Sequence, residues 1–379
     1  MNRASLYGCD SYDLDKVTLC IEKIIDDFGG LDNLLKKGKK VVIKPNLVMK
    51  KSPDGAATTH PCVIEALINI LKRKTDDITI AECPGGAYTK ERMSSIFAVT
   101  GMSKVAERTG AKLYLDYQQV ALPCRQGKVT RNITVLEPFS SADVFINVSK
   151  LKSHGLTVFT GTAKNLYGLI PGLEKAQIHA RFPDKNDFAD FICDINTTIV
   201  PDLSILDGIV AMEGNGPTGG NPRHCGVLIA SNSTYTADLA GCAVCNFDYR
   251  EIPMFISAVK RGICPDGLEN VTVTGDNLSD YIVRDFKKPD TEAKGIIKLL
   301  TQTSNPFVRK LIRSKPVINK KKCVGCGECV NCCPQKTIEI KSKKAFIHRE
   351  NCIYCYCCQE LCPMKAVDIK RFFLLNLIK

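Results

Sequence analysis

The chain has 379 residues, 44% of them apolar, and a formal net charge of +12. This composition supplies hydrophobic cores for two or more domains and excludes a disordered or fibrous chain. No apolar run reaches the roughly 18 residues that a membrane span needs, and the first residues lack the apolar core of a secretory signal peptide. We therefore expect a cytoplasmic protein without a transmembrane segment.

Alternating strands and helices are predicted for the N-terminal two thirds of the chain. Apolar residues at three- and four-residue steps indicate helices, and short runs of β-branched residues indicate strands. The predicted strands are residues 40–48, 78–82, 112–116, 142–148, 203–211 and 226–230, and the predicted helices are residues 13–28, 92–108, 187–199, 235–245 and one that begins with Thr59 as its N-cap and Pro61 in its first turn. This order predicts an α/β fold with a doubly wound, mostly parallel sheet over residues 1–265.

A basic connector is predicted over residues 266–315. Its hydrophobic periodicity is weak, with short helices expected only at residues 296–300 and 308–312. Residues 287–379 carry 20 basic and 7 acidic side chains, whereas residues 1–286 carry 32 and 33, so the net positive charge belongs to the C-terminal quarter. The apolar tail at residues 371–379 is expected to dock onto the protein, with contact to a membrane surface as the alternative.

Cysteine is concentrated near the C-terminus. Ten of the 20 cysteines lie within residues 323–362, and a long chain without an export signal rarely uses cysteines as a disulfide scaffold. The motif Cys-x-x-Cys-x-x-Cys-x-x-x-Cys-Pro occurs twice, 29 residues apart. This spacing is typical of cysteines that bind two iron–sulfur clusters. The first three cysteines of each motif bind one cluster, and the fourth, which precedes proline, binds the cluster of the other motif. The expected ligands are Cys323, Cys326, Cys329 and Cys362 for cluster 1, and Cys352, Cys355, Cys358 and Cys333 for cluster 2.

The duplicated motif resembles the bacterial-type ferredoxin module with two [4Fe-4S] clusters. The resemblance covers residues 316–370 and implies a small α+β domain that binds two such clusters. The alternative is a pair of zinc sites, but zinc motifs use paired Cys-x-x-Cys arms rather than this triplet followed by Cys-Pro. Cys332 and Cys357 fall outside the ligand pattern and are expected to be buried spectators.

Polar side chains cluster where the predicted strands end. Ligands of an open parallel sheet bind beyond the carboxyl ends of its strands, and lysines with glycine-rich turns there favour an anionic ligand. His154 has cationic neighbours that keep it neutral, as a proton donor or acceptor, so His154 and Lys152 are the candidate catalytic residues. The other candidate ligand-binding residues are Lys44, Asn46, Lys150, Lys164, Asn165 and Asn215.

Five segments of the chain resemble the family known as domain of unknown function 362. These segments are KPNLV, the THP helix start, SKLKSHGLT, TGTAKNLYG and DGIVAMEGNGPTGG. The resemblance covers most of residues 1–265 and implies an α/β domain to which a ferredoxin module is often appended. It implies no activity, because the family has no settled one.

Two functions fit these features. The first is an oxidoreductase that passes electrons through the two clusters to or from a small anionic substrate. The second is a non-enzymatic electron carrier or docking adaptor; delivery of clusters to other proteins is a third idea that eight-cysteine ligation disfavours. The basic region is expected to attract an acidic redox partner such as a ferredoxin or flavodoxin. The alternative is that its lysines are simply solvated or neutralise the negative charge of the clusters. No nucleic acid is expected, because the region lacks interleaved aromatic residues.

Overall fold

The structure is a computed structural model that describes residues 2–290 and 314–370. The strands are β1 (Arg3–Gly8), β2 (Val41–Pro45), β3 (Ile78–Ile80), β4 (Lys112–Leu113), β5 (Gln119–Pro123), β6 (Asn132–Leu136), β7 (Val144–His154), β8 (Val158–Thr160), β9 (Leu203–Glu213), β10 (Asn221–Ser231), β11 (Thr272–Gly275), β12 (Lys315–Ile318), β13 (Ile338–Lys341), β14 (Lys344–Ile347) and β15 (Val367–Lys370). The predicted helices at 296–300 and 308–312 and the tail at 371–379 lie outside the described residues.

The described residues form thirteen α-helices, several of them short. They are α1 (Leu14–Asp27), α2 (Gly30–Leu34), α3 (Pro61–Leu71), α4 (Lys90–Val99), α5 (Met102–Thr109), α6 (Pro138–Ser141), α7 (Thr162–Asn165), α8 (Gly172–Arg181), α9 (Lys185–Thr198), α10 (Thr234–Val244), α11 (Pro253–Lys260), α12 (Glu328–Asn331) and α13 (Cys357–Glu360). The helix predicted over residues 92–108 is therefore two helices, α4 and α5, separated by Gly101 at a φ of 83°.

A nine-stranded mixed sheet organises residues 2–290. Eight of its strands follow the order β11-β1-β10-β9-β7-β2-β3-β4. The ninth strand, β8, pairs with β7. The pairs β1/β11, β2/β3, β2/β7, β3/β4 and β7/β9 are parallel, whereas β1/β10, β9/β10 and β7/β8 are antiparallel. The prediction of a mostly parallel α/β sheet is confirmed, and β11 extends this sheet beyond residue 265, into the segment predicted as the connector.

Helices cover both faces of the sheet. Val42 packs into a core that includes α9 and α10, while its neighbours Val41 and Ile43 pack into a second core with α1 and α3. Successive side chains of a strand point to opposite faces, so one continuous apolar run supplies both cores.

Helix α3 begins one residue later than predicted. Its N-cap is His60, whose Nδ1 accepts the N–H of Cys62 at 3.2 Å. The Thr59 hydroxyl instead accepts the N–H of Asn46 and donates to the carbonyl of Val148, at 2.8 Å each. Thr59 therefore joins the end of β2 to β7 and is not the N-cap.

Strand β7 continues six residues past the predicted end at residue 148. We expected Lys150, Lys152 and His154 to follow this strand, but all three lie within it and are buried. The difference arises because each polar side chain finds partners in the interior, so the polar sequence does not end the strand.

The C-terminal region forms two small antiparallel sheets, β12-β15 and β13-β14, with the short helices α12 and α13. Its apolar core consists of Cys323, Cys329, Ile338, Ala345, Cys358, Cys362, Ala366 and Val367. This arrangement agrees with the predicted small α+β domain.

Candidate functional site

A cavity of about 120 Å³ lies between the large sheet domain and the C-terminal region. We call it the anion cavity, after the lysine side chains that line it. Residues that follow β2 and β3, such as Asn46 and Glu82, line one side, and residues of α13, such as Glu360, line the other. The cavity therefore lies at the carboxyl ends of neighbouring parallel strands, where open α/β sheets bind ligands.

Three lysine side chains line the anion cavity. The ammonium group of Lys152 donates to Asn46 Oδ1 at 2.5 Å and to the carbonyl of Ala57 at 2.8 Å, and that of Lys175 donates to the carbonyl of Cys83. Within the described ranges the Lys164 ammonium makes no hydrogen bond or ion pair and lies 5.8 Å from the ring centre of Tyr167. Lys164 is thus the ammonium group most available to a ligand.

Burial lowers the pKa of all three lysines. Desolvation is the largest cause for each, and the pKa of Lys152 falls well below its ordinary value because Lys164 and Lys150 add repulsion. A nearby anion would raise these pKa values again, because opposite charge favours the protonated amine.

Carboxylates compensate little of this positive charge. Glu82 accepts from Lys44 Nζ at 2.8 Å and from the N–H groups of Leu47 and Cys83, so it is satisfied by its own neighbours. Glu360 is the other carboxylate among the residues that line the cavity. Three lysines facing one uncommitted carboxylate give a site that is complementary to an anion.

His154 lies behind Glu360. Its Nδ1 accepts the N–H groups of Leu156 and Thr157 at 3.1 and 3.4 Å, and this pattern assigns the proton of the neutral ring to Nε2. Nε2 lies 3.3 Å from Glu360 Oε1, although neither atom has a well-aligned hydrogen bond among the described residues. Desolvation, then Lys164 and Lys152, hold the pKa of His154 well below its ordinary value, so the ring is neutral.

Half of the predicted ligand-binding and catalytic residues line the anion cavity. They are Asn46, Lys152, Lys164 and Asn165. Asn165 also accepts from Lys44 and Asn46 and donates to Asn147, which fixes the segment that carries Lys164.

The other four predicted residues do not line the cavity. Lys44 is fully buried and paired with Glu82, and His154 reaches the cavity only through Glu360. Lys150 donates to Asp207 at 2.9 Å and to the Tyr12 hydroxyl at 2.6 Å. Asn215 exchanges hydrogen bonds with Asp290. Partners within the protein therefore occupy Lys150 and Asn215.

Sequence reasoning missed Lys175, His179 and Glu360. Lys175 and His179 lie one helical turn apart on α8, for which no helix was predicted, and Glu360 lies between two predicted cluster ligands. His179 stacks on Phe188 with ring centres 4.7 Å apart, and burial, then Lys164 and Lys175, lower its pKa to about 3. The available signal in the sequence was that Lys175 and His179 are four residues apart, which places them on the same face of a helix. No predicted strand ends beside them, so this spacing alone does not predict a binding site.

Each predicted set of cluster ligands lines a cavity of its own. Cys323, Cys326, Cys329 and Cys362 line one, and Cys333, Cys352, Cys355 and Cys358 line the other. Within residues 2–290 and 314–370 no three His, Cys, Asp or Glu side chains converge on a position for a single metal ion.

Backbone N–H groups point at sulfur atoms of both sets. Ala345 donates to Cys323 at 3.4 Å, Ala366 to Cys362 at 3.2 Å and Thr337 to Cys333 at 3.3 Å. Hydrogen bonds of this kind stabilise the thiolate ligands of iron–sulfur clusters. The cysteines of both sets and their neighbours therefore fit the [4Fe-4S] clusters that the duplicated motif implies.

The anion cavity and the cluster-2 cavity share Cys357 in their walls. Cys332, the other predicted spectator, also lines the anion cavity. Both cysteines are buried, and burial raises the pKa of Cys332, whereas a hydrogen bond with Cys355 is the largest cause of the raised pKa of Cys357. The cavity lined by the cluster-1 cysteines shares no residue with the anion cavity.

Comparisons with known proteins identify both parts of the chain. A domain of unknown function (DUF362) matches residues 41–243, and a 4Fe-4S dicluster domain matches residues 315–363, which supports iron–sulfur clusters. A thylakoid-associated protein of Synechocystis sp. is 30% identical over 323 residues, which are 82% of this chain and 95% of that protein.

Among solved structures, the lactate racemase apoprotein of Thermoanaerobacterium thermosaccharolyticum aligns with a TM-score of 0.40 at 13% identity, covering 65% of this chain and 57% of that one. None of the helices in the described part of the chain has both the length and the apolar character needed to cross a membrane. From the two family matches and the 30% identical relative, the chain belongs to the DUF362 family and carries a 4Fe-4S dicluster domain at its C-terminal end.

Proposed function

We propose that this protein is an iron–sulfur oxidoreductase that exchanges electrons between two [4Fe-4S] clusters and a small anion in the anion cavity. The observation that carries the proposal is Cys357, which lines both the anion cavity and the cavity of the cluster-2 cysteines. A molecule in the anion cavity would be separated from the cluster-2 site by one layer of side chains.

Lys152, Lys164 and Lys175 are assigned to hold the anion. Lys152 is already oriented by Asn46, so its ammonium group needs little reorganisation when a ligand arrives. Among the described residues, Lys164 has no hydrogen-bond or ion-pair partner that a ligand would have to displace. Its attraction to an anion is strong because the cavity is partly shielded from water.

Glu360 is assigned to exchange protons with the ligand, and His154 is assigned to orient the carboxyl group of Glu360. When bound, [4Fe-4S] clusters supply single electrons, and most reductions of small organic molecules also consume protons. Glu360 faces the cavity, and the Nε2–H of His154 lies directly behind its carboxyl group. The Nε2–H of His154 can therefore support and orient this carboxyl group, while Glu360 itself is the group that exchanges a proton with a bound ligand.

Calorimetric titration of the anaerobically purified protein with inorganic phosphate, succinate and fumarate tests the binding step. We expect saturable binding of at least one of these dianions, weakened at least tenfold in Lys164→Met and in Lys175→Met. Lys51→Met is the matched control, because Lys51 contacts the C-terminal region through the carbonyl of Pro363 and does not line the cavity. No binding by the three probes, or equal binding in all variants, would overturn the assignment of the cavity.

The redox step is tested by adding fumarate to protein reduced with dithionite and freed of excess reductant. Faster recovery of the oxidised-cluster absorbance than in Lys164→Met supports the oxidoreductase. Clusters that stay reduced with every anion that binds would contradict it and leave the carrier or adaptor function.

A further inference from the structure

The two predicted cluster sites differ in their exposure to solvent. Of the 20 cysteines only Cys326, a cluster-1 ligand, is exposed. Val324 and Met364 line the same cavity and expose 55% and 47% of their surface. Cluster 1 is therefore the site with an apolar, solvent-facing rim.

The cluster-2 site has a less exposed lining: Gln335 is its one exposed residue, and its four ligand cysteines are buried or half-buried. Tyr356 and Cys357 line its cavity and are buried, and the Tyr356 hydroxyl donates to the carbonyl of Ser314 at 2.9 Å. On its other side, through Cys357, lies the anion cavity. The pair of sites therefore leads from the surface at cluster 1 to the anion cavity at cluster 2.

A run of exposed lysines adjoins the cluster-1 site. Lys320, Lys321 and Lys322 immediately precede the ligand Cys323 and are all exposed. The Lys320 ammonium lies 4.7 Å from the ring centre of Phe346, which exposes 37% of its surface. The cluster-1 face is defined as these three lysines with Phe346 and the exposed rim residues Val324 and Met364.

The cluster-1 face combines exposed lysines with exposed apolar side chains. Four of the ten exposed large apolar side chains in the described residues lie within residues 314–370, and three of these four line the cluster-1 cavity. Glu328 is the one carboxylate among the residues that line this cavity. Exposed apolar residues beside a run of lysines are complementary to a partner with an apolar contact surface and acidic residues next to it.

We propose that the cluster-1 face is the docking surface for a small, acidic, one-electron carrier protein. The inference rests on the proposed function and adds the partner and the direction of the path: electrons enter at cluster 1 and leave at cluster 2. In each encounter the carrier is oxidised by one electron and the protein is reduced by one. Two encounters supply the electron pair that a two-electron reduction in the anion cavity requires.

A carrier protein explains this face better than an anionic membrane does. Lysines beside exposed apolar residues suit both partners. The exposed ligand Cys326 within the rim, however, is useful only to a partner that exchanges electrons, because electron transfer requires close approach to a cluster.

Rapid mixing with reduced flavodoxin tests the proposal, because the flavin and cluster absorbance changes can be separated. The variant carries Lys320→Glu, Lys321→Glu and Lys322→Glu, and the control carries the same charge change at the exposed lysines Lys36, Lys39 and Lys104 of the large domain. At low ionic strength we expect the bimolecular rate of cluster reduction to fall by about tenfold or more in the variant and far less in the control. High salt should remove most of the difference.

Reduction by dithionite, a small reagent, should proceed at the same rate in all three proteins, which shows that the clusters are intact. Equal flavodoxin rates in variant and wild type, or equal slowing in variant and control, would overturn the proposal. Sedimentation with phosphatidylglycerol vesicles that is lost in the variant, while its flavodoxin rate is unchanged, would assign the face to a membrane instead.

The result of the flavodoxin experiment does not depend on whether the proposed function is correct. Reduction by flavodoxin needs no ligand in the anion cavity, so it proceeds even if no anion is a substrate. Conversely, dithionite-reduced protein can discharge into a bound anion even if flavodoxin docks elsewhere.

Discussion

Whether a lysine of the predicted site can bind a ligand depends on which group its ammonium already contacts. Lys44 and Lys150 face the buried carboxylates Glu82 and Asp207, while the ammonium group of Lys164 has no such partner within the described residues. Sequence patterns located polar residues near strand ends, although Lys150 lies within β7, and they did not show which carboxylates reach which lysines. That depends on pairings between distant segments, such as the 38 residues that separate Lys44 and Glu82.

We predict a large coupling between Lys44 and Glu82. Both side chains are buried, so Lys44→Met leaves an uncompensated carboxylate and should lower the free energy of unfolding by about 3–5 kcal/mol. Glu82→Gln should also destabilise the protein, because it leaves the ammonium group unpaired.

The double variant Lys44→Met, Glu82→Gln should cost clearly less than the sum of the two single changes, because neither charge is then left alone. Denaturant unfolding of all four anaerobic proteins measures this cycle. Strictly additive losses would show that the ion pair contributes nothing beyond packing.

At the level of helices and strands, the sequence predicted the alternation well and the ends less well. Apolar periodicity located α1, α3, α9 and most central strands because burial of one or both faces requires that pattern. Strand β7 was predicted too short because buried polar side chains look like a loop in the sequence. Strands β1 and β11 were missed because β1 contains no β-branched residue and β11 has only four residues. Their pairing also joins the two ends of the large domain.

Helix α3 should lose stability in mild acid because its N-cap is a histidine. His60 Nδ1 accepts the N–H of Cys62, and burial lowers the pKa of His60 to about 4. The folded pKa lies below the ordinary value of about 6.5. The unfolded chain therefore binds more protons between these values, and the free energy of unfolding falls as the pH drops through that range.

The variant His60→Asn keeps a capping acceptor that does not titrate. We expect it to unfold within about 1 kcal/mol of wild type at pH 7.5, and to lose less stability than wild type between pH 6.5 and pH 4.5. His348→Asn is the control, since His348 is exposed and caps no described helix. Parallel pH profiles for wild type and His60→Asn would show that the cap does not titrate in this range.

On the scale of the whole molecule, the C-terminal region completes the anion cavity and is held there by polar contacts. The Thr218 hydroxyl donates to the carbonyl of Glu360 at 2.6 Å, and Gln359 Nε2 donates to the carbonyl of Asn215 at 3.1 Å. Lys365 Nζ adds a bond to the carbonyl of Gly220 at 3.1 Å. The duplicated motif predicted this region and its ligands, but not these contacts, since nothing in a cysteine repeat specifies what packs against it.

Loss of the clusters should unfold this region and open the anion cavity. Four of the eight buried residues in its apolar core are predicted cluster ligands, and so small a core cannot order the chain without the groups that these cysteines bind. After removal of iron by an oxidant and a chelator, we expect the amides of residues 314–370 to exchange hydrogen at nearly unprotected rates. The amides of β2, β7 and β9 should stay protected, because their cores lie on the large sheet.

Hydrogen exchange with mass spectrometry measures both regions in one experiment, and a cysteine substitution supplies the matched comparison. Cys323→Ala should weaken protection across residues 314–370, whereas Cys264→Ala, at a buried cysteine of the large domain, should leave that region protected. If iron-free protein kept full protection at α13, the wall containing Glu360 and Cys357 would be held by the large domain alone. The anion cavity would then exist before cluster assembly, and ligand binding would not depend on iron.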